Sequence, residues 1–394
     1  MKFLTDLSKE KIFGRTCLLR VDLNIAEKEA KNSPRILGIL PTIKFLIKNG
    51  AKVVILSHRG RPQKISSIKY QVLSYTLKSF AKILSKALNQ KIKFIDNFNF
   101  QKIKEEINKS KTENIYLLEN LRFLSGEEKN DKKLAKQLAN LGDFYVNDAF
   151  AASHRVNASV SAITKFLPSY AGFLMEKEIK NLSFVMDPPH KFMWGVKNPR
   201  RRRGSLKAAK KPFVIILGGA KISDKIGLIE NFQKKADYFL IGGGIAHNFL
   251  LAQGLPIGDS IFEEKTIGFA KKMLKNKKII LPVDYAIKNR KILDIGPNTM
   301  KLYSDIIRKA KTIIWNGPMG YFEDKRFAKG SEAIIKAILK NKAFSVVGGG
   351  ETATLFSLKP KTYNLKPNIF VSTGGGAMLE YLAGKKLPGI KALK

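Results

Sequence analysis

The sequence predicts an α/β protein of two lobes, each a parallel sheet covered by helices, and three observations predict it. First, the second half repeats one phrase. "FVIILGGAKISDKIGLIENF", "YFLIGGGIAHNFLLAQG", "FSVVGGGETATLF" and "IFVSTGGGAMLEYLAG" each join a β-prone apolar run to glycines and then to a helical pattern. Strand–glycine–helix units in series build parallel sheets, and right-handed crossovers line their turns along the carboxyl edge. Second, the first half has the same rhythm, but its strand ends carry side chains instead of bare glycines. Third, 394 residues with 44% hydrophobic content suffice for two cores of ordinary size. Two Rossmann-like lobes joined by a hinge helix follow from these.

In chain order, "CLLRVDLNI" ends around Asp22 and Asn24, and "AKVVILSHRGRP" runs into His58 and Arg61. "NIYLLENLRF" ends at Arg122, and "DFYVNDAFAASHR" continues to His154 and Arg155. Arg35, just ahead of a helical pattern, joins this set. Guanidinium groups pair bidentately with carboxylate and phosphate, so the first lobe, residues 1–168, is expected to hold a small polyanion. "SYAGFLMEKEIKNLSF", 169–184, reads as the connecting helix. Residues 190–211 then carry nine Lys/Arg and no acid. Pro199, Gly204 and the Arg200–Arg203 run make 185–211 a basic linker. The glycine-rich units occupy 212–379.

Composition narrows the function. Cys17 is the only cysteine, which excludes a disulfide framework within the chain and suits a reducing compartment. With four histidines besides, a structural zinc site is not expected. The start, "MKFLTDLSKEKIFGR", has charges where a signal peptide needs an apolar stretch, so a cytoplasmic location is expected. The apolar run "YFLIGGGIAHNFLLAQGLPIG" contains three glycines, His247 and Asn248, and reads as a buried strand and helix, not a membrane span. Neither G-x-x-x-x-G-K-[ST] nor a strand-ending G-x-G-x-x-G occurs. The formal charge of +40, from 72 Lys+Arg and 32 Asp+Glu, is spread along the chain and reads as a lysine-rich surface.

The glycine turns at Gly218–Gly219, Gly242–Gly243 and Gly349–Gly350 suit the phosphates of a nucleotide. Lys221 and Lys225, at i and i+4 behind the first turn, share one helical face and can balance charge on a transferring phosphoryl group. Glu351, at the mouth of an anion site, would repel phosphate unless a cation lies between them. Glu351 or Asp224 could hold Mg²⁺ there. A basic pocket in one half and phosphate turns in the other describe a small-molecule kinase.

The ordered motifs "RVDLN", "SHRGRP", "LLENLRF", "NDAFAASHR", "GFLMEKE", "ILGGAKISDKI", "IGGGIAHNFL", "LPVD", "IIWNGPMGYFE", "GGGETAT" and "STGGGA" resemble the phosphoglycerate kinase family over almost the whole chain. The resemblance implies reversible phosphoryl transfer between ATP and the carboxylate of 3-phosphoglycerate, giving 1,3-bisphosphoglycerate and ADP. Such an acceptor is ionised near pH 7 and needs no general base. By resemblance, Asp22, Asn24, Arg35, His58, Arg61, Arg122 and Arg155 hold the triose, and Arg35 and Lys221 stabilise the transferring group. Lys225, Asn316, Pro318, Glu323 and the loop of Gly349, Gly350, Glu351 and Thr352 hold the Mg²⁺-bound nucleotide, with Leu293 on the adenine side. Gly375, within 374–376, offers a helix start to phosphate charge. The family further implies a monomer, closure of the lobes, and a C-terminal segment, 380–394, returning to the first lobe.

The chain departs from the family in several places. Glu351 replaces the usual Asp, one methylene shorter. Residues 190–211 read as an insertion, and the 285–293 region is shortened, with Ile292 where glycine is usual. Arg59 adds a cation to "SHRGRP", and "FAASHR" replaces the more usual "FGxAHR". The alternative reading is a kinase-fold protein that binds nucleic acid or another polyanion through the basic 190–211 segment.

Overall fold

The computed structural model describes residues 1–62, 74–110, 112–186, 209–357 and 367–394. These form two compact units, one of Met1–Ile179 with Lys386–Lys394, the other of 180–186 with 209–385.

The first unit is built on β1 (Thr16–Arg20), β2 (Lys52–Leu56), β3 (Lys93–Ile95), β4 (Ile115–Leu118), β5 (Phe144–Asn147) and β6 (Ser169–Ala171). They form one sheet in the order β3-β4-β2-β1-β5-β6, every pairing parallel. β1, β4 and β5 are buried along their whole length and β2 from Val53 on, which is why they read as apolar runs. The helix Pro34–Lys48 starts where Ser33 accepts the Arg35 N–H and Pro34 takes the first turn, where its missing N–H costs nothing. Ile36, Ile39, Ile43 and Leu46, at helical spacing, pack with Leu19, Val53 and Val146 in the core. That packing holds Arg35, in the first turn, at the carboxyl edge of the sheet.

The second unit contains β7 (Phe213–Leu217), β8 (Tyr238–Ile241), β9 (Ile279–Ile280), β10 (Tyr285–Lys288), β11 (Lys291–Ile295), β12 (Thr312–Asn316), β13 (Phe344–Gly348) and β14 (Ile369–Val371). Six of them make a second parallel sheet, β14-β13-β12-β7-β8-β9. β10 and β11 make an antiparallel hairpin turning at Asn289 and Arg290, both with positive φ. Val214, Ile216, Ile313, Trp315, Ile334 and Val347 form the core. The apolar run 238–258 divides into β8 and the helix Gly243–Ala252. Among the described residues, no helix is long and apolar enough to cross a membrane.

The structure corrects the helix expected over 169–184. Ser169–Ala171 is the edge strand β6, paired with Tyr145–Asn147, and the helix spans Phe173–Val185. Pro168 is unfavourable to helix in the residue before it, and Asp148 accepts the Met175 N–H at 2.9 Å, setting the helix start after Gly172. Residues 386–394 belong to the first unit, where Gly389 N–H donates to Ser153 O at 2.8 Å and Leu393 is buried. The basic insertion falls largely on 187–208, outside the described residues.

Candidate active site

In the first unit the chain folds Asp22, His58 and Arg122 into buried positions just past β1, β2 and β4. Asp22 accepts the Asn24 N–H at 2.8 Å and pairs with Arg35 Nη1 at 3.4 Å. The same Nη1 donates to Asn24 O at 2.8 Å, and Asn24 Oδ1 accepts the Gly60 N–H at 2.8 Å. Burial pushes the Asp22 carboxyl up, but Arg35 and the other positive groups around it outweigh this and hold it at about 2. Asp22 is therefore a fixed anion that orients cations.

His58 is set differently. Arg20, fully buried in β1, brings its Nη2 to 2.9 Å from His58 Nδ1 and donates from Nε to Ser159 Oγ at 2.9 Å. A guanidinium only donates, so His58 Nδ1 is the acceptor and Nε2 carries the proton. Burial first, and then the Arg20 charge, lower the His58 pKa to about 3, so the ring is a neutral donor at physiological pH. Arg122 donates to Gly60 O and its Nε faces Glu128 Oε1 at 3.3 Å, while its buried Nη2 lacks a hydrogen-bond acceptor. Burial and the neighbouring Arg155 lower its pKa. A buried donor left open beside a second arginine suits an anion. Arg155 donates to His154 Nε2 at 3.2 Å, and Arg61 is exposed beside this group. Arg59 points elsewhere: it donates to Thr76 O and stacks on Phe80.

In the second unit two turns interlock at the carboxyl edge. Gly218 N–H donates to Asn316 O, and Gly219 N–H to Pro318 O at 2.7 Å. A Cβ on Gly218 would lie 2.0 Å from Pro318 O, and one on Gly317 (φ +90°) would lie 2.1 Å from Gly218 O. Only glycine lets these backbones approach so closely. A cavity of about 310 Å³ opens beside them, lined by Gly219, Gly243, Leu293, Pro318, Glu323 and Glu351 among others. A second cleft is lined by Gly219, Lys221, Lys225, Asn316, Gly349, Gly350, Glu351, Thr352 and Gly375, as well as by Asp224. Gly219 and Glu351 line both. Gly218 and Gly242 line neither; both are buried, and a Cβ on Gly242 would meet Met319 Sδ at 2.7 Å. Their place is in packing the turns.

Within the cleft, Thr352 Oγ1 accepts the Gly317 N–H at 2.8 Å, and the buried Asn316 Nδ2 has no hydrogen-bond acceptor. Burial lowers the Lys225 pKa, opposed by the charges of Asp224 and Glu351. Glu351 is pushed up by lost hydration and by Glu323, with Lys225 opposing. Such an acid site is relieved by a cation. Among the described residues no three His, Cys, Asp or Glu side chains cluster to hold a metal by themselves. One carboxylate with phosphate oxygens and water completing the shell is the usual manner of Mg²⁺ with nucleotides, and the residues present fit it.

Arg20, Glu127 and Ser159 are not among the candidate site residues read from the sequence, although Arg20 opens the motif "RVDLN". The available signal was a charge inside the apolar run "CLLRVDL".

A profile of the family described as phosphoglycerate kinase matches residues 6–196 and 201–385. The phosphoglycerate kinase of Finegoldia magna is 40% identical over 420 residues, spanning 100% of this chain and 98% of its own. That of Staphylococcus aureus is 41% identical over 423 residues, spanning 100% and 98%. The structure of phosphoglycerate kinase from Coxiella burnetii superposes with a TM-score of 0.75 at 36% identity, over 99% of this chain and 98% of that one. The enzyme from Pyrococcus horikoshii does so with a TM-score of 0.80 at 33% identity, over 100% and 98%. Two parallel six-stranded sheets, a basic edge on one and interlocked glycine turns on the other, agree with the match along the whole chain: it belongs to the phosphoglycerate kinase family.

Proposed function

We propose that the site residues divide the family's reaction between the two units. Asp22, Asn24, Arg35, His58, Arg61, Arg122 and Arg155 hold 3-phosphoglycerate. Arg122 and Arg155 meet its anionic groups, and His58 donates from Nε2. Asp22 keeps Arg35 oriented toward the carboxylate that receives the phosphoryl group. In the second unit the 310 Å³ cavity takes the nucleoside, with Leu293 on the base side and Glu323 and Pro318 on the ribose side. The cleft beside it takes the phosphates, with Asn316 Nδ2 and the Gly349–Thr352 loop as donors and Gly375 also in its lining. Lys225 neutralises charge on the nucleotide, and Lys221 and Arg35 stabilise the transferring group.

Mg²⁺, bound with the nucleotide, would be held on the protein side by Glu351 and would offset charge on the phosphate oxygens. No residue needs to remove a proton, because the acceptor carboxylate is already ionised. Catalysis then consists of positioning and charge stabilisation. The observation that carries this reading is the single cleft bringing Lys221, Lys225, Asn316, Glu351 and Thr352 together beside an apolar cavity of ligand size. The test is ADP formation from MgATP with and without 3-phosphoglycerate; turnover without it, or none with it, overturns the assignment.

The protein acts as a cytoplasmic monomer in this reading. A lone, buried, unpaired Cys17 and the family's habit support it, and light scattering on the purified protein tests the oligomeric state.

A further inference from the structure

A short strap, Ser260–Glu263, runs along the second unit between the cavity and the lysine turn. At its start, Ser260 Oγ accepts the N–H of Ile292, a residue of the cavity wall, at 2.8 Å. Next along, Ile261 O lies 2.7 Å from His247 Nδ1. At its end the Glu263 peptide is held on both sides. The buried Asn248 accepts the Glu263 N–H at 3.3 Å and donates to Glu263 O at 2.7 Å. Thr266 Oγ1 also donates to that carbonyl, at 2.8 Å. His247 and Asn248 lie on the helix Gly243–Ala252, whose first N–H donates to Met319 O beside the cavity. The strap is thus a fixed part of the nucleotide half.

From this base the Glu263 carboxylate reaches across 40 residues of sequence to the lysine turn. Its Oε2 accepts the Ser223 N–H at 2.9 Å and its Oε1 accepts the Ser223 hydroxyl at 2.7 Å. Ser223 opens the turn Ser223–Lys225, and the Lys225 N–H donates back to Ile222 O at 2.8 Å, with Ile222 fully buried. Lys221 leaves the chain two residues before Ser223. A carboxylate that takes both donors of one serine fixes its backbone and its rotamer together, and charge-assisted bonds are the stronger kind. Burial pushes the Glu263 carboxyl up, but the bonds from Ser223 and Ile222 prevail and hold it below its ordinary value. It is therefore ionised at physiological pH.

We infer that Glu263 is a positioning residue for the reaction, aiming Lys221 through Ser223 from a strap anchored on the nucleotide cavity. The inference rests on the role of Lys221 proposed above. Glu263 itself lines neither the cavity nor the cleft.

The test compares Glu263→Ala, Glu263→Gln, Ser223→Ala, Lys221→Ala and the Glu263→Ala/Lys221→Ala double variant. Each is assayed for kcat and for both KM values, with ADP binding by calorimetry and thermal melting alongside. Loss of the two charge-assisted bonds predicts a kcat lower by roughly three- to tenfold in Glu263→Ala. KM for 3-phosphoglycerate and ADP affinity should stay within about twofold of wild type. Glu263→Gln, which keeps an acceptor, should recover part of the loss. In the Lys221→Ala background, Glu263→Ala should cost nothing further. A lower melting temperature with unchanged kcat in Glu263→Ala and Ser223→Ala would reduce Glu263 to a structural clamp and overturn the inference. Losses that multiply in the double variant would do the same. Lys221→Ala with full kcat overturns both the inference and the role of Lys221, whereas a collapsed Lys221→Ala beside a normal Glu263→Ala overturns the inference alone.

Discussion

Replacing Arg20 by methionine removes a cation that is fully buried and linked to four groups. Arg20 donates to Ser159 Oγ and to His58 Nδ1, each at 2.9 Å, donates to Val21 O, and lies 4.0 Å from Glu127. Glu127 is equally buried and would remain with only Ser159 and Asn157 as donors from side chains, the former at 2.6 Å. A buried charge deprived of its partner costs about 3–5 kcal/mol. For a chain of 394 residues, with an unfolding entropy of about 2.1 cal/mol/K per residue, that corresponds to a melting temperature lower by roughly 4–6 °C. Methionine is close in length and fills the space, so the loss isolates charge and hydrogen bonding. The diagnostic variant is the pair Arg20→Met with Glu127→Gln. It removes the stranded charge, and should recover all but about 1–3 kcal/mol, the cost of acceptors left open. Urea unfolding of wild type, both single variants and the double variant gives the coupling directly. A loss below about 1 kcal/mol in Arg20→Met, or a double variant as unstable as the sum of the singles, would refute the account of this network. The same variants report on the site, because His58 loses the donor that sets its tautomer, and KM for 3-phosphoglycerate should rise with the loss of stability.

Three further outcomes are expected. His58 is neutral in the folded protein down to about pH 3 but takes up a proton near 6.5 when unfolded. Between those values the unfolded chain binds more protons, so the His58 contribution is complete above about 6.5 and is lost by up to about 1.4 kcal/mol per pH unit on acidification; His58→Asn should flatten that part of a stability–pH curve relative to wild type. Gly218→Ala would drive a Cβ to 2.0 Å from Pro318 O, a backbone atom with nowhere to go. We expect a loss of at least about 2 kcal/mol and of ADP binding, with 3-phosphoglycerate binding retained in calorimetry. Glu351→Gln should weaken MgADP binding by roughly tenfold while leaving metal-free ADP binding equal or tighter, because the charge removed is one that repels phosphate when no cation lies between them; equal weakening with and without Mg²⁺ would remove Glu351 from the metal side.

The architecture was legible because each β-prone run in a doubly covered parallel sheet is apolar throughout, and the glycines that follow mark its end. The edge strand Ser169–Ala171 was not, since three residues after a proline show neither alternation nor a long apolar run. The residues proposed for the site at strand ends were readable as an excess of Arg, His and Asp. Those that act at one remove were hidden in one of two ways. Arg20 stands inside a strand, where its charge is visible but its partners, Ser159 at 139 positions' distance among them, are not. Glu263 and Ser223 look like ordinary polar surface residues until folding places them together. Gly218 and Gly242 read as phosphate turns by pattern, while their position in the turns gives them to backbone packing. Periodicity reports which face is buried; long-range pairing has no local signature.

The return of residues 386–394 to the first unit imposes an order on its assembly. On the ribosome, Met1–Ile179 emerges first and its sheet can assemble, yet the segment that packs Leu393 and Ile390 into it is translated only after every residue of the second unit. The late segment meets the first unit at Ser153, two residues from Arg155. A nascent chain therefore holds the Ser153 region of the first unit without this support until Gly389, Ile390 and Leu393 have docked.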